Sequence, residues 1–173
     1  MTEEEKDKLR HAKTNVTDKL FTVNIDKYRL SEVDSRLDSY VRMVTNNPDK
    51  HNLFEQLSVY RFFLLADKYG INITEVQLFY DFYESLYFPG KKGQQQYKLT
   101  PVQCFQFASI FAFWHNGKRV VKEALFYVPR KYSKTTSSAS LAIYDMLFGD
   151  NNAESYTGAN SSDQAKKCFD VIR

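Results

Sequence analysis

The feature that most narrows how this chain can fold is a change of hydrophobic period. As far as Trp114 apolar side chains recur every three or four residues, and after Gly117 they run together. The first spacing builds one face of a helix, whereas a short unbroken run suits a strand buried on both sides. Val33, Leu37, Tyr40, Val41 and Val44 form one helical stripe, with Ser31 and Asp34 in a capping arrangement ahead of it and Asn46-Asn47-Pro48 ending it. A second helix is expected from about His51 to Tyr69, with Leu53, Leu57, Tyr60, Phe63, Leu64 and Leu65 on its apolar face and Gly70 at its C-terminal cap. Thr74 is the expected N-cap of a third, through Val76, Phe79, Phe82, Leu86 and Tyr87 to Pro89-Gly90. Thr100-Pro101 sets an N-cap and an N1 proline in the favoured order for a fourth, reaching His115-Asn116-Gly117. Its two stripes, Val102, Phe105, Ala108, Phe111 and Ala112 beside Phe107, Ile110 and Trp114, predict burial on most sides.

Ahead of Ser31 the charges are mixed and the period is poor, so a weak helix or a mobile arm is expected there. Gly90 to Tyr97, with Lys91, Lys92, Gly93 and three glutamines, reads as a linker. The expected organisation is a helical region over 1–96 and a second region over 97–173. In the second, Val120–Val128 predicts a buried strand, followed by a helix through Leu141, Ile143, Met146 and Leu147 to Gly149. Ala153–Ala159 predicts another strand, and Ser161-Ser162-Asp163-Gln164 caps a last helix. Helices followed by strand-helix-strand-helix predict an α/β fold with an incomplete parallel sheet flanked by helices.

Composition excludes several classes. With 43% hydrophobic and 26% charged residues over 173 positions, the chain has the profile of a folded globular protein of about one domain. No apolar run approaches the roughly 20 residues of a membrane span. The N-terminus has no apolar leader, so a cytoplasmic protein without membrane contact is expected. Net charge of +3 permits an acidic partner without requiring one. Lys91, Lys92, Lys118, Arg119, Arg130 and Lys131 form either a DNA-binding patch or a solvated surface. Cys104, Cys168, His11, His51 and His115 lack the spacing of a zinc site, so metal chemistry must use oxygen ligands. The aromatic content of 16% implies a large buried payload or a contact surface.

Chemistry concentrates at the junction of the first expected strand and the following helix, Val128-Pro129-Arg130-Lys131-Tyr132-Ser133-Lys134-Thr135-Thr136. A Lys-Thr pair at such a junction occupies the place of the Lys-[Ser/Thr] that closes a phosphate-binding loop, although Val128 and Ser133 stand where that template has glycine. The layout suits phosphate: helix N–H groups hold its oxygens, Lys134 reaches the β and γ phosphates, and the Thr135 hydroxyl joins a magnesium shell. On spacing alone, a basic, hydroxyl-rich surface turn remains open beside it.

The Arg-Lys pair ahead of Lys134-Thr135 resembles the deviant Walker A of the large terminase subunits of tailed bacteriophages. Leu99-Thr100-Pro101-Val102-Gln103 is similar to that family's upstream adenine motif. Tyr156 to Ala165, leading into Phe169, is similar to its second strand and Ser-x-x-Gln-Ala helix. The resemblance covers roughly residues 50 to 173. It implies the N-terminal ATPase segment of a P-loop motor that packages double-stranded viral DNA into the procapsid. ATP and magnesium would be the cofactors. The portal protein, the small terminase subunit and further copies in a ring would be the partners, in the host cytoplasm. Residue by residue, it implies that Gln103 contacts the adenine edge, Lys134 the β and γ phosphates and Thr135 the magnesium. Lys131, Tyr132, Ser133 and Thr136 would complete the loop. Arg130 would join Lys134 as a catalytic group, stabilising transition-state charge. Gln164 would order the last helix, and Gln106 is expected to be a core or surface amide.

A P-loop ATPase also needs a later strand ending in acidic residues, and none follows Thr136. The string Leu78-Phe79-Tyr80-Asp81-Phe82-Tyr83-Glu84 precedes the loop and has helical spacing. The expectation is therefore a nucleotide-binding half without Walker B, catalytic glutamate or nuclease, with negligible ATP turnover. The alternatives are a non-enzymatic helical interaction module and a piece of another P-loop motor such as a helicase.

Overall fold

A computed structural model of the protein describes residues 2–90, 93–126, 128–129, 132–149, 153–156, 158, 161–163, 165–166 and 170. Its helices are α1 (Glu3–Phe21), α2 (Leu30–Val33), α3 (Ser35–Asn46), α4 (Leu53–Tyr69) and α5 (Ile73–Ser85), then α6 (Pro101–Phe111) and α7 (Lys134–Phe148). Between α5 and α6 strands β1 (Tyr87–Gly90) and β2 (Gly93–Gln96) form a hairpin; β3 (Trp114–His115) and β4 (Lys118–Arg119) form a second. The chain divides into two compact units, Met1–Leu78 with Thr100–Lys122 and Phe79–Leu99 with Glu123–Arg173. The units therefore interleave in sequence, whereas the expected boundary lay between 96 and 97.

In the first unit the N-terminal segment is a full helix. The Thr2 hydroxyl accepts from the Glu5 N–H while the Glu5 carboxylate accepts from the Thr2 N–H, which closes a capping box. Glu3 and Glu4 pair with Lys6 and Lys8 along the exposed face. Val16, Thr17 and Leu20 are buried where α1 packs on α4. Asp34, expected inside a helix begun at Ser31, is instead the N-cap that separates α2 from α3. Its extended backbone breaks the run, and its carboxylate accepts from the Arg36 N–H at 2.7 Å. The expected stripe Val33, Leu37, Tyr40, Val41 and Val44 is buried throughout. Helix α4 ends at Gly70 as expected, with φ of 73°. Its buried face, however, is Gln56, Val59, Phe62, Phe63 and Ala66, one position round from the expected stripe, and Leu57 and Leu64 are exposed. Gln56 decides this rotation. Its amide donates to the Pro48 and His51 carbonyls at 2.7 and 3.0 Å and accepts from the Thr17 hydroxyl at 2.7 Å. Those three bonds satisfy a fully buried amide, which a hydropathy pattern assigns to the surface.

Asn72, rather than Thr74, caps α5 by accepting from the Glu75 N–H. Helix α6 is buried on most sides, as its double stripe predicts. Phe105 lies 5.1 Å from Tyr40 and 5.7 Å from Phe62, and Phe113 is 5.1 Å from Phe62, so much of the aromatic content is core. The helix stops at Phe111, because Asn116-Gly117 turns a hairpin instead of capping a longer helix. Both residues take positive φ, 50° and 72°, the pairing that matches strand twist in a tight hairpin.

The second unit holds the C-terminal half of α5, the β1–β2 hairpin and α7. Gly93–Gln96, within the segment expected as a linker, pairs with Tyr87–Gly90 in antiparallel register, Tyr87 opposite Gln96 and Gly90 opposite Gly93. The Glu84 carboxylate holds its far end, accepting from the Leu99 N–H at 2.9 Å and pairing with Lys98 at 2.7 Å. The strands expected over Val120–Val128 and Ala153–Ala159 are not formed among the described residues, and neither is the parallel sheet. Every described strand pair is antiparallel. Lys122 and Glu123 interrupt the first apolar run, and no described strand offers it a ladder. Leu125 is consequently 92% exposed. Among the described residues the fold is mainly helical with two small antiparallel hairpins. Among the described residues no helix is long and apolar enough to cross a membrane.

Two consequences are measurable. Replacing Gln56 by Ala leaves the Thr17 hydroxyl and two carbonyls without their buried partner, and urea unfolding should show a loss of about 2–4 kcal/mol. Burial alone would raise the Asp34 carboxyl, but hydrogen bonds from the Arg36 side chain and backbone outweigh it and hold the group below its ordinary 3.8. That contribution is present above the unfolded value and disappears as pH falls through the lowered folded one. Stability measured from pH 5 down to pH 2 should therefore fall less steeply in Asp34→Asn, which keeps a capping oxygen but has no proton to take up.

Candidate functional site

Helix α7 begins where the sequence sets the end of the phosphate loop, at Lys134. Ser133, at the template's second glycine position, is its N-cap and takes the left-handed conformation, φ 56° and ψ 24°. A left-handed residue with a Cβ is disfavoured by about 1–2 kcal/mol, which is why glycine is usual at such a position. The Ser133 carbonyl accepts from the Ser137 N–H at 2.9 Å and so starts the helix, but its side chain makes no capping bond. No acidic residue lies in the first turn. The first turn of α7 thus brings no carboxylate of its own to the positive end of the helix, which is an arrangement that favours an anion.

Lys134 is exposed, and its ammonium turns back to donate to the Val128 carbonyl at 3.1 Å. Val128 is the template's first glycine position, so this bond joins the two ends of the loop. Thr135 is exposed and Thr136 half-buried; Tyr132 is half-buried. Arg130 and Lys131, two of the expected functional positions, lie outside the described residues, as do Gln164, expected to order the last helix, and Lys91 and Lys92 of the DNA patch. Of that patch, Lys118 is exposed, and the Arg119 guanidinium sits 5.1 Å from the centre of the Phe111 ring.

The support beneath the loop comes from α5. The Tyr83 hydroxyl bonds with the Ser137 side chain in the first turn of α7. Burial pushes the Tyr83 phenol up, the Ser137 bond opposes this, and nearby Tyr97 and Glu84 add to the rise. Further along, Tyr144 packs edge-on against Phe79 and Phe82, at 5.1 and 5.3 Å, and Phe148 lies 5.8 Å from Phe82. The string Leu78 to Glu84 is helical as expected, and its aromatics carry the helix that carries the loop. Nothing in the sequence pattern singled out Tyr83 and Ser137 as partners.

Gln103 lies in the first unit. It is buried and closes the capping box of α6: its Oε1 accepts from the Thr100 N–H at 3.0 Å and from the Thr100 hydroxyl at 2.9 Å. The signature was legible, since Thr-x-x-Gln ahead of an apolar run is a capping box.

Among the described residues no group of three or more His, Cys, Asp or Glu side chains can hold a metal ion. Among the described residues the donor set at the loop is one ammonium, hydroxyls and helix N–H groups. It fits a phosphate that brings its own magnesium, with Thr135 as a single protein ligand, and does not fit a metal held by protein alone. A shallow depression of about 550 Å³ lies along α1, lined by residues that include His11, Asp18 and Lys19. It is open to solvent, and nothing in it pairs a nucleophile with a base. Compared with known protein families, curated proteins and solved structures, the chain matches none.

The left-handed Ser133 gives a direct test of the loop's backbone. Ser133→Gly should raise the stability of the chain by about 1 kcal/mol in thermal or urea unfolding. A loss of stability would show that the left-handed turn is not held in solution.

Proposed function

We propose that residues 128–136 are the phosphate-binding loop of a DNA-packaging motor, and that the chain is the N-terminal ATPase segment of a phage terminase large subunit. One observation carries this reading: a loop closed on itself by Lys134 and Val128, with a left-handed residue at the second glycine position, leading straight into an uncapped helix. The order of the three motifs in the sequence adds to it.

In this reading the first N–H groups of α7 hold the phosphate oxygens, and Lys134 exchanges the Val128 carbonyl for the β and γ oxygens. That exchange is favourable because a charged acceptor makes a shorter and stronger bond with an ammonium than a carbonyl does. The Thr135 hydroxyl would be the protein's ligand to a magnesium ion brought with the nucleotide, which would supply charge neutralisation to the phosphates. Arg130 is assigned to the charge that develops on the transferred phosphoryl group. Tyr83 and the aromatics around Tyr144 act as positioning residues that fix the direction of α7. Double-stranded DNA, the portal protein, the small subunit and a ring of copies are the partners that belong to this assignment, in the host cytoplasm.

The experiment is a thermal shift of the full chain with ATP and magnesium. At about 100 times Kd, binding adds about 2.7 kcal/mol, or roughly 5–10 °C for a chain of this size. The shift should be absent in Lys134→Ala and reduced in Thr135→Ala, most visibly when magnesium is present. An equal shift in wild type and Lys134→Ala would remove the loop from the account and favour the helical interaction module.

A further inference from the structure

We propose that the outward face of α4 is a docking surface for an amphipathic helix of another protein, one that carries acidic residues seven positions apart within its apolar stripe. The inference stands on the first unit alone and does not depend on the nucleotide-binding reading.

Helix α4 is apolar on two sides. Its inward side is the buried face around Gln56, Val59, Phe62, Phe63 and Ala66. On its outward side Phe54, Leu57 and Leu64 are 75%, 38% and 51% exposed, and Arg61 and Lys68 are exposed along the same line. A helix that is apolar all round is ordinarily covered all round. Positions 54, 57, 61, 64 and 68 alternate in steps of three and four, the spacing of a coiled-coil seam. Phe54, Arg61 and Lys68 fall at its a positions and Leu57 and Leu64 at its d positions, so the outward face is already patterned to receive a second helix.

The two cations select the occupant. Neither acid of α4 reaches across to neutralise them: Glu55 closes the capping box with Asn52, and Asp67 pairs with Lys27 and accepts from the Tyr28 hydroxyl. Among the described residues neither Arg61 nor Lys68 forms an ion pair, although the Lys68 ammonium lies 4.9 Å from the centre of the Tyr69 ring. A second copy of α4 laid parallel would set Arg61 on Arg61 and Lys68 on Lys68, and laid antiparallel it would set each cation on a leucine. A lipid surface fits no better, because membrane-surface helices keep their basic residues on the polar face. Here the cations run down the middle of the apolar stripe. A partner helix with acids at the matching seam positions pairs with both, while its apolar neighbours cover Phe54, Leu57 and Leu64.

The test measures binding of the full chain to two fluorescein-labelled helical peptides of about three heptads with a leucine seam. They are identical except that two seam positions seven residues apart hold Glu in one and Lys in the other. Anisotropy should show the Glu peptide binding at least about tenfold tighter than the Lys peptide, and Arg61→Glu with Lys68→Glu should invert that order. Phe54→Ala with Leu64→Ala should weaken the Glu peptide by about tenfold or more with the melting temperature little changed, since both side chains are exposed. Equal affinity for the two peptides, binding of neither, or a preference that survives charge reversal overturns the proposal. Self-association in sedimentation that the double alanine variant abolishes would also overturn it and assign the face to a second copy. Cosedimentation with vesicles of phosphatidylserine and phosphatidylcholine, lost in the same variant, would overturn it in favour of a membrane.

Discussion

Every helix leaves N–H groups at its start that must find an acceptor, and much of this protein is organised by how that is met. Thr2 with Glu5, Asp34, Asn52 with Glu55, Asn72, and Thr100 with Gln103 supply the acceptors for α1, α3, α4, α5 and α6. Among the described helices of more than one turn, α7 differs: Ser133 stands at its cap in a left-handed conformation and its side chain gives no bond. A helix that begins this way lacks local support. It is tolerated because packing holds α7 from the side, through Ser137 and Tyr144.

The two units solve their burial problems differently. In the first, α1, α3, α4 and α6 enclose Leu20, Leu37, Val41, Val59 and Phe107, each essentially without exposure. Removing such side chains from water contributes on the order of 1.5–3 kcal/mol apiece. The buried Gln56 amide adds direction to this non-directional attraction, because it fits only where the Thr17 hydroxyl and the Pro48 and His51 carbonyls converge. The second unit depends on rings. Phe79, Phe82, Tyr144 and Phe148 form a cluster that binds α5 to α7, and half or more of Phe148 remains exposed, together with Met146 and Leu147.

Much of the helical architecture was legible from residue order. The stripes of α3 and α6, the Gly70 cap and the Thr100-Pro101 start all follow from local chemistry that does not depend on distant partners. The errors have a common source. The α4 face was misplaced because a buried, satisfied glutamine and an exposed leucine invert the usual hydropathy rule. Three glutamines after Gly93 looked like a linker because strand pairing depends on a partner across the hairpin. The apolar run at Val120 to Val128 looked like a strand, but a strand is defined by its neighbours and none is described beside it. At the candidate site, the position of Lys134 at the head of a helix was legible. The bond to Val128 and the left-handed Ser133 were not, since both are properties of a folded loop.

By itself the sequence determined that α4 ends at Gly70 and α6 begins at Thr100-Pro101, which stripes of α3 and α6 are buried, and which residue types meet at the Lys134 turn. These are local properties, set by backbone sterics, capping and periodicity within a few residues. Only the tertiary structure decided which face of α4 is inward, that the glutamine-rich segment is a hairpin, and that Gln103 spends its carbonyl on Thr100. It also decided that α7 is anchored through Tyr83. Each of these depends on the partner an atom finds, and hydrogen-bond valence and packing volume are settled only when distant parts of the chain compete for the same groups.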